Sequence, residues 1–195
     1  MAFFNQTSFE PKRQFRFLIN FTKLGDGVTF MAKSAEKPSY DSEVQTHQVL
    51  NHQFKFPGIV KWADISVKFI DAVEPNIGSK FYNVLRNSGY YVPDSPAGLV
   101  HGITKQGSNN TLGQVEIIQL DGGGIVAPGD PGTAVGTQEI QPNTVDKWTL
   151  NNPFIKGIKW GALDYGSEDL IEIEVDLTFD YARYEVLNQP IAYTI

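Results

Sequence analysis

From Leu170 to Tyr181 the chain alternates with period two: Ile171, Ile173, Val175, Leu177, Phe179 and Tyr181 are apolar or aromatic, and Glu172, Glu174, Asp176, Thr178 and Asp180 stand between them. Alternation of this kind predicts a strand with one buried and one solvated face. Burying the apolar set contributes roughly 1.5 to 3 kcal/mol per large side chain. At about 3.3 Å per residue the run would reach ~40 Å, whereas ordinary strands hold about five or six residues. The strand therefore either bends or carries a sheet past the edge of its own subunit.

A second alternation sets Phe15, Phe17, Ile19 and Phe21 against Gln14, Arg16, Leu18 and Asn20, stops at Leu24-Gly25-Asp26-Gly27, and resumes from Val28 to Met31. Because glycines accept positive φ, this segment predicts a hairpin. Ile65, Val67 and Phe69 mark a further strand. Beyond it, Ile77, Phe81, Val84 and Leu85 fall at helical spacing, with Asn76 as cap or Pro75 as first residue and Gly89 as terminator. This is the only helix the pattern predicts, and its narrow apolar stripe suits a sheet. Val115 to Leu120 reads as a strand. Trp148 with Leu150, and Ile158 with Trp160, continue the sheet on either side of Asn151-Asn152-Pro153, and Val186 to Ile195 reads as a tail or a short edge strand.

Three stretches lack any period. Ser34 to Gly58 contains Pro38, Pro57, His47 and His52 among mixed polar residues, yet keeps Tyr40, Val44, Val49, Phe54 and Phe56. It predicts a long irregular arm that packs against a neighbouring subunit, since a structureless segment of that length usually has a job. Tyr40, Val49, Phe54 and Phe56 are its candidate interface residues. Tyr90 to Gly113, rich in Gly, Pro, Ser and Asn, reads as loop. Gly122 to Asn143, GGGIVAPGDPGTAVGTQEIQPN, reads as a surface insertion without regular structure, because glycine costs backbone entropy and proline removes donors.

Composition narrows the function classes. The 195 residues are 41% hydrophobic and 12% aromatic, enough for a single domain, 1–195, with a real core. A formal charge of −6 argues against a protein that lives by gripping phosphate. Without cysteine there is no disulfide framework, thiolate zinc site or cysteine nucleophile. No basic start leads into an apolar signal segment, and no run approaches the ~18 apolar residues of a membrane helix. These features predict a protein made and kept in a cytoplasm, not inserted in a membrane, with the N-x-T triplets at Asn5, Asn20 and Asn109 arising by chance.

Little points to catalysis. His47 and His52 are five apart, which fits no standard zinc spacing, and His101 beside a glycine has no partner in sequence. Gly122 to Gly124 neither opens a helix nor precedes a Lys-Ser or Lys-Thr pair, so it makes a poor phosphate cradle. Glu172, Glu174 and Asp176 would lie about 6.6 to 7 Å apart along one strand face, near glycosidase separations. A catalytic pair also needs one acid in an apolar pocket, and no aromatic residue interleaves on that face. Neither catalytic residues nor cofactor or metal ligands are predicted. Glu172, Glu174, Asp176 and Asp180 remain as a candidate electrostatic surface.

In order, these pieces resemble the tail-tube proteins of contractile-tailed bacteriophages, relatives of the tube proteins of type VI secretion. FRFLINF followed by VTFMAKSAEKP is similar to that family's opening hairpin and its exit into a long arm. FKFPGIVKWADISVKFIDA resembles the arm's return and next strand, and NIGSKFYNVLRNSGY the flanking helix. The closing block carries Asn152-Pro153, Leu163-Asp164-Tyr165 and Phe179-Asp180-Tyr181 in the family's order. The resemblance covers most of Phe15 to Glu185, and the chain departs from compact members at Gly122 to Asn143 and in the tail after Glu185.

The resemblance implies a mainly β fold: a β-sandwich or partial barrel with one flanking helix, whose strands join those of five neighbours into a ring with a β-barrel lumen. It implies no cofactor and no enzymatic activity. Its implied partners are further copies of itself, a tail sheath protein, and baseplate and tail-terminator proteins, with DNA passing through unbound in the tail of a virion assembled in the host cytoplasm. A baseplate-proximal tube initiator is the near alternative, and a carbohydrate-binding or hydrolytic β-sandwich the alternative from another class. The acid row would repeat into a negative band, either lining the lumen or facing the sheath. The outer position is favoured, because lumen strands in this family are usually shorter and less uniformly charged.

Overall fold

The computed structural model describes residues 11–94, 96, 98–125 and 141–190. Strand β1 (Phe17–Phe21) leads through a 3-10 helix (Asp26–Met31) to β2 (Ala32–Ala35), and the pair β3 (Tyr40–Val49) and β4 (His52–Trp62) follows. Then come β5 (Ile65–Ile70), α1 (Ile77–Asn87), α2 (Lys105–Leu112), β6 (Val115–Ile125), β7 (Gln141–Asn151), β8 (Phe154–Lys159), β9 (Glu172–Thr178) and β10 (Tyr181–Pro190). Among the described residues two antiparallel four-stranded sheets result, β1-β6-β7-β10 and β2-β5-β9-β8, while β3 and β4 pair only with each other. The chain is thus mainly β, and neither sheet closes into a barrel.

Period-two alternation on different strands meets in register to make the core. Ile65, Val67 and Phe69 lie opposite Leu177, Val175 and Ile173, and all six are buried. On the facing sheet Ile19 lies opposite Ile117, and Phe21 opposite Val115, which in turn lies opposite Leu150. Helix α1 closes one end: Phe81 meets Phe21 and Phe69 with ring centroids 6.0 and 5.1 Å apart. Asn76 caps that helix, its side-chain oxygen accepting from the Ser79 N–H at 2.6 Å.

The long final alternation is two strands, not one. The chain breaks at Phe179-Asp180, so β9 belongs to one sheet and β10 to the other. A second exchange sits beside it at Asn151-Asn152-Pro153, where β7 of one sheet gives way to β8 of the other, so Trp148 and Ile158 do not continue a single sheet. The two crossings are neighbours: Tyr181 lies opposite Asn151, and the Asp180 N–H donates to the Asn151 carbonyl at 3.1 Å.

Four other expectations are corrected. The opening segment is not a hairpin: β1 pairs with β6 and β2 with β5, and the glycine turn leads into a 3-10 helix that carries the chain between sheets, with Val28 buried between them. Ser34 to Gly58 is not irregular but holds all of β3 and part of β4. Lys105–Leu112 makes a second helix within the predicted loop; its cap Thr104 accepts from the Gly107 N–H at 3.0 Å, and Gly113 ends it at φ 73°. Regular structure also enters the predicted insertion, since Gly124 of β6 lies opposite Pro142 of β7. Positions 126–140 of that insertion fall outside the described residues. The edge strand expected as one alternative for Val186 to Ile195 is present as the end of β10, which begins at Tyr181, and positions 191–195 fall outside the described residues.

Candidate functional site

The arm stands on an aromatic root. Tyr40 and Trp62 lie opposite each other with ring centroids 5.5 Å apart, and Trp62 packs on Trp148 and Phe179 at 6.5 and 6.0 Å. Beyond the root nearly every residue of β3 and β4 is exposed on both faces. Directly opposed residues in an antiparallel pair share a face. Gln45, His47 and Val49 lie opposite Phe56, Phe54 and His52, so Val49, Phe54 and Phe56 form one aromatic face towards the tip. Tyr40 lies on the other face at the root and does not join them. Phe54 and Phe56 are 53% and 55% exposed.

An apolar groove opens between the two helices and the edge strand β8. Val84, Leu85, Ile103, Leu112, Ile155 and Trp160 line about 220 Å³. Ile103 and Trp160 stand at its mouth, 53% and 44% exposed. The sequence reading missed this feature because its floor includes α2, whose sequence KQGSNNTL has weak helix propensity and little amphipathy. The bracket of Thr104 before and Gly113 after was the available signal.

The acid row is real but not bare. Glu172, Glu174 and Asp176 project from β9 to the solvated side of their sheet, and lysines from the flanking strands come between them. Lys33 pairs with Glu172. Glu174 accepts from Lys159 at 2.7 Å and sits 4.0 Å from Lys68. Lys156 binds Asp64 at 2.6 Å, and Thr178 donates to the same carboxylate at 2.8 Å. The Lys159 bond holds the Glu174 carboxyl below its ordinary range, and Lys156, followed by Thr178, does the same for Asp64. Both lysines are held above theirs, chiefly by these bonds and further by Asp176. Four acids therefore meet four lysines, and the expected negative band is a charge-balanced lattice. The sequence hid this because the lysines come from strands distant along the chain.

Asp180 does not belong to that face. It lies in the break between β9 and β10, where Lys105 bonds it at 2.6 Å and Asn152 donates at 2.9 Å. Lys105 first and Asn152 second hold its carboxyl below the usual range. The histidines also separate: His47 and His52 lie on the aromatic face of the arm, while His101 stacks on Tyr91 at 4.8 Å.

No model of a known protein family matches the sequence, and no curated protein matches it. Solved structures do match. A chain in the anti-feeding prophage cap, a tube-terminating cap, superposes with TM-score 0.60 at 15% identity, covering 95% of this chain and 99% of that one. A chain in the sheath/tube terminator of an extracellular contractile injection system gives 0.58 at 14% identity, covering 92% and 99%. A chain in the extended sheath-tube complex of such a system gives 0.55 at 17% identity, covering 91% and 93%. The chain has the fold found in these tube assemblies.

Proposed function

We propose that this chain is a structural, ring-forming subunit of a contractile-tail tube, stacking into a conduit for DNA within a sheath. The observation that carries the reading is that, among the described residues, both edges of the β1-β6-β7-β10 sheet have no strand beside them. Its four strands alternate in direction, so β1 and β10 run antiparallel to each other at opposite edges. In copies related by rotation, β10 of one can pair with β1 of the next without interrupting the antiparallel order. Closing that series abolishes every edge. The other sheet is less suited to closure, because its edge strand β2 has only four residues and a register shift.

This assignment turns the β1-β6-β7-β10 sheet towards the lumen. Its outer face carries Asn20, Glu116, Lys147, Arg183 and Glu185, with Lys147 bonded to Glu116 at 3.0 Å and 3.5 Å from Glu185, and Arg183 opposite Thr149. On such a wall Lys147 is held by two acids, which limits its adhesion to phosphate, while Arg183 stands exposed. The lattice around Glu172, Glu174 and Asp176 then faces outward, towards the sheath.

Electron microscopy of purified protein over a concentration series tests the proposal. Stacked rings identify the repeating subunit, and single rings a terminal or initiating one. Monomers at every concentration would sink the assembly reading and turn attention to a carbohydrate-binding sandwich.

A further inference from the structure

We infer that the groove between α1, α2 and β8 receives the aromatic face of the β3–β4 arm of a second copy of this chain; the inference rests on the tube reading above. A two-stranded sheet alone is marginal in water, and one that carries Val49, Phe54 and Phe56 together on a solvated face calls for a cover. The arm's own sandwich supplies only the root, through Tyr40 and Trp62.

The groove matches that need in size and charge. A hydrocarbon-lined cavity of about 150 Å³ accommodates benzene, so about 220 Å³ takes one phenyl ring with its Cβ. Several charges near the groove and arm are paired: Lys156 with Asp64, Lys105 with Asp180, and Lys61 with Glu43 towards the arm's root. Neighbours of Phe54 on its face are His47, Gln45 and His52, while Lys55 points to the other face. Seating Phe54 therefore brings no unpaired charge from its immediate neighbours into the groove, where such a charge would be costly.

Symmetry argues for a second copy as the occupant. Knob and hole are different patches of one chain, so the contact is heterologous and propagates into rings or open stacks instead of closing as a twofold pair. That is the geometry a tube requires. Phe54 or Phe56 would enter between Ile103 and Trp160, and the rest of the arm would lie along β8.

The chain lacks cysteine, so introduced thiols report without background. His47→Cys keeps both phenylalanines and sits opposite Phe54; Ile103→Cys sits at the groove mouth. The double variant, assembled into rings verified by microscopy, is treated with a short bis-maleimide. The expected result is a covalent ladder of dimer, trimer and higher species, and one heterodimer band when the two single variants are mixed. Rings without a ladder, links between like cysteines only, or a linked monomer would overturn the inference and leave the tube reading intact. Failure of the wild type to form rings would instead remove the tube reading and the inference with it. Trp160→Cys in place of Ile103→Cys, checked by thermal melting, guards against a fault of one variant.

Discussion

Strands β5 and β9 and strands β3 and β4 are both antiparallel pairs, yet they belong to different physical regimes. The first pair turns Val67, Phe69, Ile173 and Val175 into the core, where each is almost wholly excluded from water. In the second, nearly every side chain is solvated, and beyond the root of Tyr40 and Trp62 the rings of Phe54 and Phe56 stay about half exposed. Stability resides in the first pair and assembly, on our reading, in the second. Substitution should separate the two.

The largest effect is expected in the core pair. Phe69→Ala removes a ring that touches Phe21 and Phe81 and leaves a cavity. It should cost about 3 to 5 kcal/mol, measured by chemical denaturation of the monomer. Phe54→Ser with Phe56→Ser should change monomer stability by no more than about 0.5 kcal/mol, as expected for exposed positions, while abolishing polymerisation in sedimentation. If rings still form at ordinary protein concentration, the arm is not an interface and the contrast between the two pairs collapses.

The same contrast explains what could be read from the sequence. Alternation reports one buried face, so strands were legible at β1, β5, β6 and β9; Ile19, Phe21, Val67, Phe69, Ile173 and Val175 are buried as the alternation predicts, whereas Phe15, Ile171 and Tyr181 of the same rows are exposed. The arm hides from that test because both faces are wet and no period is selected, although its strands pair from Tyr40 to Val49 with one register shift between Ser42 and Val44. Turn chemistry located bends without naming partners: Gly25 to Gly27 does turn the chain, but into another sheet. The acid row was legible as a row, and its neutralisation was not, because Lys33, Lys68 and Lys159 arrive through tertiary pairing. The groove stayed hidden because its helices meet only in the fold.

An intermediate effect is expected at the lattice. Glu172→Gln, Glu174→Gln and Asp176→Asn together strip Lys33, Lys68 and Lys159 of their partners and leave a basic face. Rings should still assemble, because the ion pairs replaced are solvated and each is worth about 0 to 1 kcal/mol. Sheath assembly around the tube should weaken, and DNA should adhere to the tube exterior with a steep salt dependence in filter binding. Normal sheathing with slowed DNA passage would instead place this face in the lumen.

The smallest effect tests whether the crossing between sheets is held electrostatically or by packing alone. Lys105→Met keeps a good helix former at the start of α2 and removes the bond to Asp180. In the folded chain that carboxyl titrates below its ordinary value because of Lys105 and then Asn152. A depressed carboxylate contributes stability above the unfolded value, about 3.9, and loses it as pH falls through the folded one. Wild type should therefore melt slightly higher than Lys105→Met at pH 6, with the difference closing below about pH 4 as Asp180 takes up a proton. The change should be small, since the pair is exposed and Asn152 still donates in the variant. A difference that persists unchanged at low pH would mean that Lys105 acts through the packing of its methylene chain, and that the exchange at Asp180 is fixed by the buried Phe179 next to it.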